Sequence, residues 1–167
     1  MKKKDRVHFI TQSALIADVY AILTHFSNML GLANGAVQIR LSEVLTVLPY
    51  FTPAGIYGLG IGCFIANLTT GCAVWDIIFG TLATVIGAVG TRIFRKAPAW
   101  FAPIPPIIAN VLIVPFVIAN VYGSTQAIPY LMLTVGIGEV ISCGILGNLF
   151  LFGLKKNEKS IKWAGNK

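Results

Sequence analysis

Residues 75–96, WDIIFGTLATVIGAVGTRIFRK, open on an aromatic residue and a carboxylate, run uncharged from Ile77 to Thr91, and close on Arg92, Arg95 and Lys96. At about 1.5 Å per residue, such a run approaches the roughly 30 Å of a bilayer's hydrocarbon core. Its basic end marks the cytoplasmic side, because Lys and Arg concentrate in cytoplasmic loops. The fold class follows from how many such runs lie to either side.

The whole chain of 167 residues matches this reading. It is 56% hydrophobic and only 11% charged, with a mean hydropathy of +0.77, whereas a soluble domain carries about 25% charged residues. A soluble enzyme domain and a disordered chain are excluded. At roughly 20 residues per crossing, at most six or seven helices fit, with tight loops and no extramembrane domain.

Apolar runs place helices at about 8–26, 54–69, 75–93, 104–121 and 127–154, with 41–52 short and ending at Pro49 and Pro53. Charge parity settles that segment. If the N-terminal bases (Lys2, Lys3, Lys4, Arg6) and Arg92–Lys96 are both cytoplasmic, an even number of crossings separates them, so 41–52 must cross. Two more crossings reach Lys155 and Lys156, followed by Lys159, Lys162 and Lys167. The expectation is an all-α integral membrane protein of the cell membrane, with six transmembrane helices and both termini cytoplasmic. It forms one domain over 1–167, with basic cytoplasmic segments at 1–7 and 155–167. The outer loops are then about 27–40, 70–75 and 122–127, and Arg40 alone of the thirteen bases lies outside. The net charge of +7 is thereby placed against anionic membrane lipid, not nucleic acid. The N-terminal MKKKDR and its apolar run lack an A-x-A cleavage site and read as an uncleaved first helix.

Helices associate in lipid through small residues and polar contacts. Ser13, Ala17 and Ala21 form one such stripe, Gly58, Gly62 and Ala66 a second, and Gly80, Ala83, Thr84 and Gly87 a third. Each can pack inside its own bundle; the first can also dock another membrane protein.

Ionisable and amide groups are costly in a membrane and usually face a cavity or a partner. Here they are Asp18, Arg40, Glu43, Asn67, Asp76, Asn110, Asn120, Glu139 and Asn148. In the six-helix arrangement Arg40, Glu43, Asn67 and Asp76 cluster near the outer face, and Glu139 lies deeper in the last helix. A pocket open to the outside and floored by Glu139 is expected. Arg40 and Glu43 can instead pair to cap the second helix, Asp76 can cap the fourth, and Asp18 can serve as an internal hydrogen-bond partner. Trp75 and Tyr50 either belong to an interfacial aromatic belt with Tyr57, Tyr122 and Tyr130, or stack on a planar ligand.

Cys63, Cys72 and Cys143 match no zinc or disulfide pattern and read as packing residues, although a Cys63–Cys72 pair is conceivable. His8 and His25 sit at opposite ends of the first helix and cannot share a metal. No phosphate-binding loop, H-E-x-x-H or G-x-S-x-G occurs. No catalytic residue, metal or cofactor is expected, and energised transport requires another subunit.

QIRLSEVLTVLPYFTPAGIYGLGIGCFIANL (38–68), WDIIFGTLATVIGA (75–88), PPIIANVLIVP (105–115) and VGIGEVISCGILG (135–147) together resemble the QueT family. The resemblance extends from about Ile16 to Phe152. It implies a substrate-binding S component of an energy-coupling factor (ECF) importer, a six-helix bundle that captures a queuosine precursor from outside. It also implies partners: the transmembrane coupling protein EcfT and two ATPase subunits, with Ser13, Ala17 and Ala21 as the docking stripe. The implied substrates are 7-deazaguanines, namely the 7-cyano and 7-aminomethyl precursors or queuine. A carboxylate can accept bidentately from the guanine edge. Glu139 or Glu43 is the expected partner for that edge, with the other or Asp76 near the C7 substituent. Arg40, Asn67 and Asn110 orient the ring, and Trp75 or Tyr50 stacks on it. The competing readings are a stand-alone carrier or channel, an S component for another purine-like vitamin, and a structural membrane protein.

Overall fold

Many large apolar side chains point outward, and many small ones pack at the centre. Ile10, Ile22, Leu133 and Leu149 are exposed, while Ala54, Ala66, Ala83 and Ala88 are completely buried. Lipid tails solvate leucine as well as another leucine does, so close backbone approach, not burial of bulk, holds such a bundle together. The computed structural model describes residues 3–32, 37–121, 123–157, 161, 163 and 164. Lys2, Tyr122, Lys159, Lys162 and Lys167, to which positions were assigned above, lie outside the described residues.

Among the described residues all regular structure is helical: α1 (Lys3–Met29), a 3-10 helix (Leu41–Tyr50), α2 (Ala54–Thr69), α3 (Val74–Ile93), α4 (Ile104–Val121), α5 (Ile128–Glu139), and a π-helical stretch (Val140–Leu146) that continues into α6 (Gly147–Lys156). Two 3-10 turns (Phe94–Lys96 and Ala99–Phe101) connect α3 to α4. Among the described residues four rods are long and apolar enough to cross a membrane: Lys3–Met29, Val74–Lys96, Ala99–Val121 and Ile128–Lys156. The protein is thus a multi-pass membrane protein. The 16-residue α2 is about 24 Å long, shorter than the hydrocarbon core.

The doubtful segment 41–52 is a helix, wound more tightly than expected. Its ten residues rise about 20 Å at 3-10 pitch, and it is buried on nearly every side. Hydrogen bonds fix its direction. The Leu41 N–H donates to Ser27 Oγ (2.9 Å), Tyr20 Oη donates to Glu43 Oε1 (2.6 Å), and Thr52 Oγ1 donates to Gln12 Oε1 (3.3 Å). The segment therefore returns the chain from the Ser27 level of α1 to the Gln12 level. From there α2 runs parallel to α1, with Ser13 Oγ donating to Ala54 O (3.2 Å) and His25 Nε2 meeting Thr69 Oγ1 (2.9 Å).

The remaining rods alternate. In α3, Thr84 Oγ1 donates to Cys63 Sγ (3.4 Å), and Arg92 Nη1 reaches Pro49 O and Tyr50 O (3.3 Å each). Thr91 Oγ1 donates to Ala102 O (2.8 Å) where α4 begins. The last rod descends past Arg40 and Thr46, which contact Ser142 (3.2 Å) and Cys143 (2.8 Å), until Lys155 Nζ lies 5.9 Å above the Tyr50 ring. Six passes through the bundle result. The described members of all three basic clusters, Lys3 to Arg6, Arg92 to Lys96, and Lys155 with Lys156, gather at one end. At that end Trp163 stacks on Phe51 at 4.9 Å, and the Ala164 N–H donates to Gln12 Oε1 (2.9 Å).

The small-residue stripe of α1 packs against α2. Ser13 and Ala17 are buried against α2, where a Cβ added at Gly58 would stand 2.7 Å from Ser13 O and one at Gly62 2.8 Å from Ala17 O. The stripe is the internal seam between the two parallel helices, and Ala21 packs beside it on the core. The outward face of α1 carries Ala14 and Asp18 instead, so Asp18 is not an internal hydrogen-bond partner. Because the clashing atoms at Gly62 are backbone, Gly62→Ala is expected to cost about 1–3 kcal/mol, read as lost stability in denaturant titrations of the protein in bicelles. A neutral result would mean that α1 and α2 separate freely.

The cysteines are free. Cys63 is buried in mid-α2, whereas Cys72 lies beyond the end of that helix at the cavity described next, so the Cys63–Cys72 pair does not form.

Candidate functional site

At the end opposite the basic clusters, the polar ends of α1, α2 and α3 surround a cavity of about 550 Å³, within the roughly 300–1,000 Å³ range of small-molecule sites. Thr24, Ser27 and Asn28 come from α1, Asn67 from α2, Asp76 from α3, and Val114 and Ile118 from α4. Gln38 and Arg40 form the wall formed by the segment leading into the 3-10 helix, and Thr70, Gly71 and Cys72 form the turn after α2.

Local sequence explains the two tightest pieces of this wall. The α2 terminus closes with Gly71 at φ +74°, a left-handed conformation suited to glycine, while the Cys72 N–H reaches back to Asn67 O (3.1 Å). This turn leaves the Asn67 side chain facing α3. There Gly80 leaves room: a Cβ on it would stand 3.1 Å from Asn67 Nδ2 and 3.8 Å from Asp76 Oδ1. The missing side chain allows an amide and a carboxylate to share one patch of wall.

On the other side, Gln38–Arg40 is extended chain pinned from two directions. Ser27 Oγ holds Leu41, and Ser142 Oγ accepts from the Arg40 N–H at 3.2 Å. Ser142 is aimed there by the π-helical stretch; such π-bulges inside α-helices recur at functional sites. Gly138 lets this extended segment sit directly on α5, because a Cβ there would collide with Gln38 O.

Behind Arg40 the cavity adjoins a much smaller cleft lined by Gln38, Arg40, Val114, Val135 and Glu139. Glu139 is 8% exposed and Glu43 2%. Tyr20 occupies Oε1 of Glu43, and Oε2 of each carboxylate is buried without a hydrogen-bond partner. Arg40 and the buried Asn110 face both carboxylates, and Asp76 also faces Arg40.

The expected cluster of Arg40, Asn67 and Asp76 is thus assembled on the cavity wall, with Glu139 behind Arg40 and Glu43 deeper still. Glu43 does not cap its helix with Arg40, whose side chain makes no capping bond; it turns to Tyr20. Neither expected stacking ring reaches the cavity. Trp75 is 57% exposed and stacks on Phe79 (6.0 Å), lining an outward groove between α3 and α4 with Asn120. Tyr50 lies at the basic end, edge-on to Phe51. Asn148 is on α6, with Oδ1 buried and without a partner.

Sequence reading missed Thr24, Ser27, Asn28 and Gln38. Ala17, Tyr20, Thr24 and Ser27 recur at the three- and four-residue spacing of one helix face, so the polar end of that face was detectable as a cavity wall.

Fold and site together define a multi-pass membrane protein with a polar, solute-sized chamber at the end away from its three basic clusters. A QueT transporter family profile matches residues 10–156, and the chain belongs to that family. Over 95 residues it is 33% identical to the queuosine precursor transporter QueT of Lactococcus lactis subsp. cremoris (strain MG1363), covering 56% of each chain. The chain thus aligns with little more than half of that curated relative's length. No solved structure matches.

Proposed function

We propose that the chain is the substrate-binding S component of an ECF importer and captures a 7-deazaguanine queuosine precursor from outside. The observation carrying this reading is the 550 Å³ cavity walled by Arg40, Asn67 and Asp76. With the three basic clusters cytoplasmic under the positive-inside rule, both termini lie inside, all six passes cross the membrane, and the cavity opens outward. Asp76 and Asn67 take the donor edge of the guanine ring, since a carboxylate accepts two parallel N–H bonds and an amide both donates and accepts. The ring lies against Val114 and Ile118, with the planar guanidinium of Arg40 as the stacking and hydrogen-bonding group. This replaces the stacking role considered for Trp75 and Tyr50. Asn110 acts indirectly, by holding Glu43 and Glu139. EcfT and two ATPases supply the energy.

The test is binding by the purified chain in nanodiscs. The expected result is that queuine or one of its two precursors binds at least about tenfold more tightly than guanine or riboflavin, a difference of about 1.4 kcal/mol. Asp76→Asn is expected to weaken that binding by about tenfold or more, the magnitude of one charged hydrogen bond. Liposomes containing this chain alone should bind the ligand without accumulating it, and ATP should drive uptake only once the partner module is added. Uptake by the chain alone would establish a stand-alone carrier. A folded sample that binds no 7-deazaguanine removes the substrate reading.

A further inference from the structure

The cleft behind Arg40 measures about 10 Å³, close to the volume that one water-sized probe occupies. Its walls combine two apolar side chains, Val114 and Val135, with Gln38, Arg40 and Glu139. Glu139 is more than nine-tenths buried, and its Oε2 has no hydrogen-bond partner. Glu43, facing the same Arg40 and Asn110, has a second orphan oxygen. Two carboxylates thus share one guanidinium, and no other Lys, Arg or His lines the cleft or the cavity among the described residues. A buried carboxylate oxygen without a donor is costly, so this arrangement calls for a small cation that brings its own hydrogens.

We propose that the cleft is a subsite for a primary alkylammonium, whose –NH3⁺ fills it and donates to Glu139 Oε2 while its methylene lies at the mouth beside Val114, which lines both chambers. An ammonium is a compact point charge with three donors; a guanidinium is too broad for a one-water space, and Ca²⁺ or Mg²⁺ takes about six or more oxygens. Arg40, Gln38 and Val114 line both chambers, so a ring in the outer cavity can pass a short cationic arm inward. This inference rests on the proposed substrate site, and within it selects the 7-aminomethyl precursor over the neutral 7-cyano form.

The experiment compares those two ligands on the wild type, Glu139→Gln and Val135→Leu in nanodiscs, with thermal melts to verify folding. Wild type is expected to favour the aminomethyl form by about tenfold or more, and both variants to level the two affinities by losing only the aminomethyl gain. Equal wild-type affinities, or a preference that survives in Glu139→Gln, overturn the subsite. A second arm measures melting in methylammonium chloride against sodium chloride at the same ionic strength. Protection of the wild type but not of Glu139→Gln supports the subsite even where no 7-deazaguanine binds and the substrate reading has failed. Absence of protection in that case overturns the subsite as well.

Discussion

Gly138→Ala is expected both to destabilise the protein and to abolish most ligand binding, although it adds a single methyl group. That methyl would collide with the Gln38 carbonyl oxygen and stand 3.0 Å from its carbon, and backbone cannot rotate away as a side-chain tip does. Overpacking of this kind costs about 1–3 kcal/mol and sometimes more. Relief comes by lifting Gln38–Arg40 off α5, which breaks the Arg40 N–H bond to Ser142 and moves the guanidinium on the cavity wall. Loss of its charged hydrogen bonds, at about 1.5–3 kcal/mol each, corresponds to a roughly tenfold to hundredfold fall in affinity. Gly136→Ala is the control, because its methyl would meet Val111 Cγ2 at an ordinary 3.5 Å. Equilibrium binding and denaturant titration of both variants in nanodiscs check the prediction. Matching behaviour of the two would show that the extended segment is not seated on α5 through Gly138.

Glu43→Ala is expected to be the most destabilising carboxylate replacement, at about 3–5 kcal/mol. Truncation leaves the buried Tyr20 hydroxyl without the acceptor it has at 2.6 Å, removes one of the anions facing Arg40, and opens a void at the centre of the bundle. Glu43→Gln keeps the volume and an acceptor for Tyr20, so most of the stability should return. Tyr20→Phe with Glu43→Ala closes a double-mutant cycle, and their coupling energy isolates the hydroxyl–carboxylate bond. Additive losses would place the role of Glu43 elsewhere. Denaturant midpoints at constant slope provide the readout.

The α1–α2 seam shows how far periodicity alone reaches. The four-residue spacing of Ser13, Ala17 and Ala21 requires a close neighbour, yet spacing is the same for a neighbour inside the chain and one outside it. Gly58 and Gly62 on α2 supply the inside neighbour, because their missing side chains receive Ser13 and Ala17. Trp75 illustrates the same limit: its place beside Asp76 is a sequence fact, but successive residues on a helix point about 100° apart. Asp76 faces the cavity, and Trp75 faces outward.

By itself the sequence determined the membrane class, the number of rods and the family, because hydropathy, charge placement and motif residues are properties of the chain that survive without coordinates. Charge parity also pointed to a helix at 41–52 that returns toward the basic end, and a 3-10 helix lies there. Arg40, Asn67 and Asp76 were identifiable as cavity groups because polar residues in apolar surroundings are expensive wherever they sit. Only tertiary structure decided which of them share a chamber. It set Glu43 on Tyr20, wound 41–50 as a buried 3-10 helix, and placed Glu139 behind Arg40 through the contact of Gly138 with Gln38. The first joins residues 23 positions apart and the last residues 100 positions apart, and no local pattern records which carbonyl a glycine will receive.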